Sequence, residues 1–576
     1  MNKKLTSILL TTSMLFMSTF TFTEKAHARV LIPTSSQKEV SYNSNRMIDD
    51  FLKDGEFFLD LKNMPESVKS KINNKHFKNS SEVEKLLNND SNPSASKNSK
   101  LAVEKILEDH LGKKHYKVQY FVSGIPVYGC DLILHTDNNG KIYAINGELD
   151  KSFQNINWNK KIKLQSKYAL QIAENHIKPK QIFEEKSKLY LYNFDGDLYV
   201  VYLVSLNCES GDWKLFINAE NGQIVDEFNN RPILFQNDKT NKKSENKNIT
   251  NITNNGQVTT GTGRTTLDGE VAIPTYCEDS KYYLCNRTKN MNGSIMVYNL
   301  NNSLEENDIT RKTIDQVKEY GPLMSDDDNR FIDNAQVAGV DAYINFSKVY
   351  DYYRDILNRN SIDNNGMNIE GFVHVGTNYS NAFWFDSHKA MYFGDGDGKD
   401  FANFTSSLDV IAHELSHGVT SMQSNLEYRK QSGALNEAFS DIIGAAVDAD
   451  DWQIGEDCYT PDKPGDALRD MQDPHKGNQP AHMNEYKNYP ALPFFDWGGV
   501  HINSGIINHA AYYIGESLGK PAMAKLFYRA NCLYWRSTTN FSEARKGIEL
   551  AAKDLYGDNS KELKAVQQAF DNVGVK

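Results

Sequence analysis

Two stretches of this sequence, SSLDVIAHELSHGVTSM and GALNEAFSDIIGAAVD, are mostly apolar yet carry ionisable side chains at helical intervals. In the first, Asp409, His413 and His417 stand at i, i+4 and i+8 and share one helix face. In the second, Glu437, Asp441 and Asp448 stand at i, i+4 and i+11, again on one face, because eleven residues is close to three turns. Packing either face on apolar partners would strand buried charge. Antiparallel packing with these faces together avoids that cost. His413 and His417 then approach Glu437, His413 approaches Asp441, and Asp409 approaches Asp448. A fold built around this chain must hold the two helices in that relation.

Each pairing implies a chemistry. Two neutral imidazoles and one carboxylate form a zinc set of the catalytic kind, with a fourth position left open. H-E-x-x-H is a known zinc signature. A chance copy in a chain of this composition has a probability of about 2%, so the motif needs the second helix beside it. Asp441 can accept the remaining ring N–H of His413 and fix its tautomer. Asp409 and Asp448 would repel unless a cation joined them, and calcium suits oxygen ligands, with Asp451 and Glu456 offering more. Glu414 lies about 100° around the helix from His413, where it can reach a water rather than the metal. A solvated helix pair with chance acids is the rival reading, and it gives charge no reason to face inward.

The rest of the chain reads as a precursor. At 576 residues it exceeds a single core, and 39% hydrophobic with 24% charged residues suits a soluble protein. The 64 basic and 75 acidic residues give a net charge of −11, which argues against nucleic acid as a partner. Residues 1–28 open with Lys3 and Lys4, run apolar and end in Ala26-His27-Ala28, the form of a cleaved secretory signal. No later segment approaches about 18 apolar residues, so we expect a secreted protein free of the membrane once the signal is gone. Residues 29–157 and 158–230 read as two small α+β modules. The first is helix-prone to about Lys100 and then forms strands turning at Asn139-Gly140; the second is a helix followed by strands turning at Asn221-Gly222. Residues 231–257 read as a cleavable linker, because the stretch from Asn237 to Gln257 is polar, nearly free of large apolar residues and unable to bury a core. Residues 258–422 form a β-rich part interrupted by the helix AYINFSKVYDYYRDIL, and residues 423–576 are mainly helical. Of the cysteines, Cys130 and Cys208 read as buried thiols, while Cys277 and Cys285 are spaced either to bridge a hairpin or to stay reduced.

These segments resemble the thermolysin family of secreted neutral metalloproteases, the standing example of a His2Glu zinc site. GALNEAFSD looks like that family's third-ligand segment, DWGGVHINSGIINHAAY its active-site histidine segment and NAFWF its substrate-binding edge strand. GDGDG and GEDCYTPDKPGDALRDMQDP also fit in order and spacing. The resemblance runs from about Val258 to the end, and the upstream modules resemble propeptide modules. It implies an α+β fold, with a β-rich and a helical lobe and the zinc helix between them. It also implies a zinc endopeptidase made as a zymogen, with its own propeptide as inhibitor and folding aid. The mature enzyme would be a monomer that cuts proteins and peptides on the N-terminal side of medium-sized hydrophobic residues.

By the same resemblance His413, His417 and Glu437 bind zinc, with Asp441 behind His413, and Glu414 is the general base. Tyr428 and His501 bind the oxyanion, Asp496 orients His501, Arg469 binds a substrate carbonyl, and Asn381 and Ala382 pair with the substrate backbone. Phe401, Phe404, Val410, Ile454, Cys458 and Leu468 would line the specificity pocket, shallower here because the family often has leucine where Phe404 stands. Several calcium ions are implied: one cluster at Asp409, Asp448, Asp451, Gln453 (carbonyl) and Glu456, another at Asp326 and Asp328, and a third at Tyr459, Thr460, Lys463 (carbonyl) and Asp466. The family's glutamate is replaced by the shorter Asp448 and the loop before Asp451 is shortened, which leaves one ion or two open in the first cluster. Read on residues alone, the Gly-flanked loop around His501 points toward function, while Arg469 as a structural ion pair, Tyr428 as packing and NAFWF as core stand as open alternatives to the functional readings. The longer pattern H-E-x-x-H-x-x-G-x-x-H is absent, because Thr420 and Gln423 fill its Gly and second-His positions. A non-catalytic zinc-binding secreted protein is the alternative; Glu414, His501, Tyr428 and the cleavable region oppose it.

Overall fold

Alternating side chains such as Tyr116, Val118, Tyr120 and Val122 bury one face of a strand, and a run of such strands makes up the N-terminal part of the described chain. The structure, a computed structural model, describes residues 55–60, 75–88, 98–230 and 255–576 together with positions 64, 69, 72, 252 and 253. The signal segment and most of the linker, 231–251 and 254, lie outside the described residues. All of the described chain belongs to one compact unit, Met47–Lys576.

The N-terminal region is a nine-stranded sheet. Its strands are β1 (Gly55–Asp60), β2 (Ser99–Glu108), β3 (Lys114–Val122), β4 (Ile125–Thr136), β5 (Ile142–Leu149), β6 (Ile182–Phe194), β7 (Asp197–Cys208), β8 (Gly211–Asn218) and β9 (Ile224–Asn229). The helices α1 (Ser80–Asn88) and α2 (Ser166–Ile177) belong to the same region. The order is β1-β5-β4-β6-β7-β8-β9, with β3 between β2 and β4. The expected modules are therefore two antiparallel halves, joined by a single parallel bridge between Val127 and Leu191. At the β4–β5 turn Gly140 has φ +79° and donates its N–H to Asp137 O at 2.9 Å, which only a residue tolerant of the left-handed region permits. The helix-prone reading up to Lys100 is corrected at GEFFLD. That segment is β1, because pairing with Ala144–Leu149 satisfies its backbone, a partner no local pattern could reveal. Cys130 and Cys208 are buried free thiols on β4 and β7.

Beyond the linker, two five-stranded sheets form the β-rich part. One has the order β15-β12-β11-β10-β16, from β10 (Gln257–Arg264), β11 (Glu270–Glu278), β12 (Lys281–Tyr283), β15 (Ser325–Asp326) and β16 (Arg330–Phe331). The other has the order β13-β14-β17-β19-β18, from β13 (Cys285–Asn286), β14 (Ile295–Asn299), β17 (Ile369–Val375), β18 (Ala382–Phe385) and β19 (Ala390–Gly394). Register places Cys277 opposite Tyr282 and Cys285 opposite Met296, and both are free thiols. The long helix α3 (Asn334–Asp355) packs on these sheets and on α4 (Leu408–Met422). Then follow α5 (Lys430–Val447), α6 (Asp496–Leu518), α7 (Lys520–Leu533), α8 (Phe541–Tyr556) and α9 (Lys561–Asn572), which share one apolar core with α3 and α4. Among the described residues no helix is long and apolar enough to cross a membrane.

The N-terminal sheet docks on the C-terminal helices through buried polar contacts. Arg536, 2% exposed, donates to Gly129 O at 2.7 Å and reaches Asp131 at 3.1 Å. Arg529 pairs with Asp109, Lys113 with Asp554, and the hydroxyls of Tyr143 and Tyr534 meet at 2.9 Å.

Candidate active site

α4 and α5 run side by side, and Gly444 lets them close: a Cβ there would lie 3.0 Å from Asp409 O. Asp409 sits in the first turn of α4, where a carboxylate complements the helix dipole. One turn on, His413 Nδ1–H donates to Asp441 Oδ1 at 2.8 Å; a further turn on, His417 Nδ1–H donates to Asn436 Oδ1 at 3.0 Å. Those bonds turn both Nε2 atoms toward each other, 3.0 Å apart, with the Glu437 oxygens 3.4 and 3.5 Å away. Zinc bonds of about 2.0–2.1 Å at tetrahedral angles need donor atoms about 3.3 Å apart, so these three side chains fit the ion. Burial opposes charge on Glu437, yet His501, His417 and His413 hold its carboxyl well below the usual range. Against burial, Arg469 and His413 hold Asp441 at about 2.

Glu414 lies off the ligand face, buried, with Oε2 accepting from Trp384 N at 2.7 Å. Burial pushes its carboxyl up to about 7. Tyr428 OH donates to Glu437 and lies 3.1 Å from His501 Nε2. His501 Nδ1–H donates to Asp496 Oδ1 at 2.6 Å, and its backbone N–H donates to Asp496 Oδ2 at 2.8 Å. Burial disfavours charge on His501, but Glu437 and Asp496 outweigh it and raise its pKa. The loop reading of His501 is corrected. Asp496, Trp497, Gly498 and Gly499 have φ of 52°, 50°, 98° and 78°, and regular helix resumes at Val500, so His501 stands in a first helical turn behind a left-handed kink. Arg469 clamps Asp441 with two bonds of 2.8 Å, and Asn508 donates to the same carboxylate at 2.8 Å. The ion-pair reading of Arg469 is thus what the geometry displays. β18 is a sheet edge; Ala382 pairs with Phe393, and Asn381 O accepts from Gly394 N at 3.0 Å.

The residues expected to line the specificity pocket also meet. Phe401 and Phe404 stack with centroids 5.0 Å apart, and Phe404, Val410, Ile454 and Cys458 share the core, with Phe401 packed against it. Leu468 N donates to Ile454 O at 3.0 Å and its side chain abuts Gly455. Burial raises the Cys458 thiol, which points to Gly455 O at 3.4 Å.

At the far end of the helix pair, carboxylate oxygens of Asp409, Asp448 and Glu456 lie within 4.8 Å of one another. Burial, then Asp409, raises Asp448 to about 7 and Glu456 to about 9. Asp448 is the extended C-cap of α5 rather than a helical residue. Asp451 does not join the group; its carboxylate accepts from Gln453 N at 2.7 Å. Lys520, which sequence reasoning missed, donates to the carbonyls of Asp448 and Asp451. Asn436 and the Trp384 amide were missed as well. An i−1 offset from Glu437 could have flagged Asn436; the other two come from distant segments. Asp326 accepts from the N–H groups of Asp328 and Arg330 at 2.9 and 3.1 Å. In the third expected calcium set Thr460 Oγ1 donates to Asp466 and Lys463 N donates to Thr460 O at 2.8 Å, while the Tyr459 ring packs on Phe401 at 5.4 Å.

The N-terminal sheet grips the segment that carries Tyr428. Tyr128 OH donates to Glu427 at 2.6 Å, Arg429 pairs with Asp226 at 2.8 Å, and Asn230 Oδ1 accepts from Tyr428 N at 2.9 Å.

Comparison with known proteins extends this geometry. The descriptions "Thermolysin metallopeptidase, catalytic domain" and "Thermolysin metallopeptidase, alpha-helical domain" match residues 260–421 and 424–575. "Fungalysin/Thermolysin Propeptide Motif" matches residues 99–149. Bacillolysin of Bacillus cereus is 38% identical over 489 residues, 80% of this chain and 82% of that protein. An extracellular elastase of Staphylococcus epidermidis is 34% identical over 483 residues, 81% of this chain and 85% of its own length. Among solved structures the precursor of protealysin from Serratia proteamaculans is 32% identical, covering 50% of this chain and 90% of its own, with a TM-score of 0.43.

Proposed function

Because the chain belongs to the thermolysin metallopeptidase family, we propose that it is exported as an inhibited precursor whose residues 258–576 cut proteins before medium-sized apolar residues. It is a zinc metalloendopeptidase with a propeptide motif. The observation that supports the finer reading is the convergence of the His413, His417 and Glu437 ligand atoms beside the buried, proton-hungry Glu414. Zinc held there would supply a water of lowered pKa, about 7, and polarise the scissile carbonyl. Glu414 takes the proton from the attacking water and returns it to the leaving amine. Tyr428 and His501 donate hydrogen bonds to the carbonyl oxygen as charge builds, and Asp496 accepts the His501 Nδ1–H and aims the ring. Substrate adds to the open edge of β18 at Asn381 and Ala382, a backbone-reading mode that suits broad specificity. The apolar wall from Phe401 to Leu468 takes the side chain after the scissile bond, and Arg469 holds both Asp441 and a substrate carbonyl.

Residues 29–230 act as propeptide and 231–257 as the cleaved linker. Support comes from the grip of Tyr128, Asp226 and Asn230 on the Glu427–Arg429 segment, which keeps the oxyanion-binding wall covered. One calcium ion joins Asp409, Asp448 and Glu456, with the Lys520 ammonium serving as the second positive charge on that flank. The turns at Asp326–Asp328 and Tyr459–Asp466 are further calcium sites. Casein cleavage by the secreted protein, with and without a zinc chelator, tests the activity; turnover that survives complete zinc removal would overturn it. N-terminal analysis of the secreted form tests the linker.

A further inference from the structure

The segment leading into Asp496, NYPALPFF, exposes large apolar side chains in a row: Tyr489 is 36% exposed, Leu492 50%, Phe494 97% and Phe495 44%. Other exposed apolar residues, such as Val258, Leu267 and Tyr556, stand singly in sequence. This row is held firmly. Leu492 O accepts from Phe495 N and Trp497 N at 3.0 Å each, Tyr489 and Phe495 pack with ring centroids 6.2 Å apart, and Tyr489 lies against Gly499. Pro490 and Pro493 fix their own backbone angles, so little conformational freedom remains to be lost on binding.

The row continues into a surface that already has an occupant. Trp497, 3% exposed, clusters with Tyr192, Phe216 and Phe228 of the N-terminal sheet and meets the edge of Trp213 at 6.5 Å. The sheet therefore covers one end of an apolar strip, next to Tyr428, and leaves the other end open. When the sheet leaves, Trp497 extends the open end toward the Asp496–His501 pair. The group seated on the covered end is aromatic, which indicates the chemistry that fits.

We propose that Trp497, Phe495, Phe494 and Leu492 form a ledge, running outward from the Tyr428–His501 wall, that binds an aromatic or large aliphatic side chain of a protein substrate at an outer position. The proposal rests on the reading that the N-terminal sheet is removed from a peptidase. The ledge favours long substrates, because a short peptide does not reach it.

Mature wild type, Phe494→Ser and Phe494→Ser/Phe495→Ser would be compared on two peptide sets with one common scissile pair. One set is a short peptide; the other is a longer series in which a single Phe replaces Ser at each outer position. Phe494 is almost wholly exposed, so its substitution leaves folding intact. Wild type should gain about tenfold in kcat/KM, mainly through KM, at one outer position. The variants should lose that gain and keep the short-peptide rate. No favoured outer position in wild type, or a gain retained in the double variant, overturns the ledge. So does concentration-dependent dimerisation of wild type that the substitutions abolish, since a second copy would then be the occupant. Failure of wild type to cleave even the short peptide would instead overturn the peptidase reading.

Discussion

Glu414 and Phe404 carry single-residue consequences that can be measured. The Glu414 carboxylate is buried beside His413 and Glu437 and accepts one backbone N–H, and burial raises it to about 7, so its worth lies in a proton it can hold. Glu414→Gln keeps size and should keep zinc, yet turnover should fall on the order of 10³-fold or more. Near-normal kcat with stoichiometric zinc would remove Glu414 from the role of base. Phe404, 4% exposed and stacked on Phe401, fills volume that leucine would leave open. Wild type should therefore prefer Leu, Ile or Val over Phe after the scissile bond, by a factor within the 10- to 200-fold range that one or two methylenes provide. Phe404→Leu should shift the kcat/KM ratio toward Phe; an unchanged ratio would place the pocket floor elsewhere.

At the scale of elements, the C-terminal end of α5 is where charge accumulates. Asp409, Asp448 and Glu456 come from the start of α4, the cap of α5 and the loop after it, and burial with mutual repulsion raises the latter two. A bound cation would relieve that repulsion only in the native state, and so would stabilise it by mass action. Calcium removal by EGTA should lower the melting temperature of the mature enzyme and speed its self-digestion, while leaving catalysis by surviving molecules intact. Equal melting temperatures with and without calcium, once its removal is shown by metal analysis, would refute the site. The positions on α4 and α5 were legible because a 3.6-residue period puts them on shared faces. Lys520 was not, because it reaches the same spot from α7, about 70 residues away in sequence.

For the molecule as a whole, the contact between the N-terminal sheet and the C-terminal helices contains a buried histidine pair. His115 and His135, both 0% exposed, have Nδ1 atoms 2.7 Å apart. Tyr534 packs on both rings, and Asp109, Arg529, Asp554, Lys113, Tyr143 and Asn146 surround them. Burial lowers both pKa values, His135 well below its ordinary 6.5, and Arg529 adds to the effect on each. A separated sheet would expose these rings and restore ordinary values. The separated state therefore binds more protons below pH 6.5, so the histidines' contribution to docking is fully present above that pH and is lost as pH falls through the lowered values. We expect the cleaved N-terminal part to co-elute with the enzyme at pH 7.5 and to dissociate more readily at pH 5.5, by about tenfold for each histidine that stays neutral in the contact at that pH. His115→Gln/His135→Gln should flatten the dependence; an unchanged pH profile in that variant would exclude the pair as its source.

Helical period and residue type alone determined the antiparallel α4–α5 pair, its His2Glu set and its carboxylate end, since side chains three or four residues apart must share a face whatever surrounds them. Polarity alone marked 237–257 as a linker, yet near its end Ile252 packs against the apolar cluster of the β-rich part. Tertiary structure decided the rest. GEFFLD became a strand because β5 offered it an edge. His501 left its glycine loop for a first helical turn because four left-handed residues reverse the chain just before it. Cys277 and Cys285 stayed apart because strand register set each opposite a different residue. The merging of two N-terminal modules through Val127 and Leu191, and their grip on Tyr428, depend on contacts between segments tens to hundreds of residues apart, which no local period encodes.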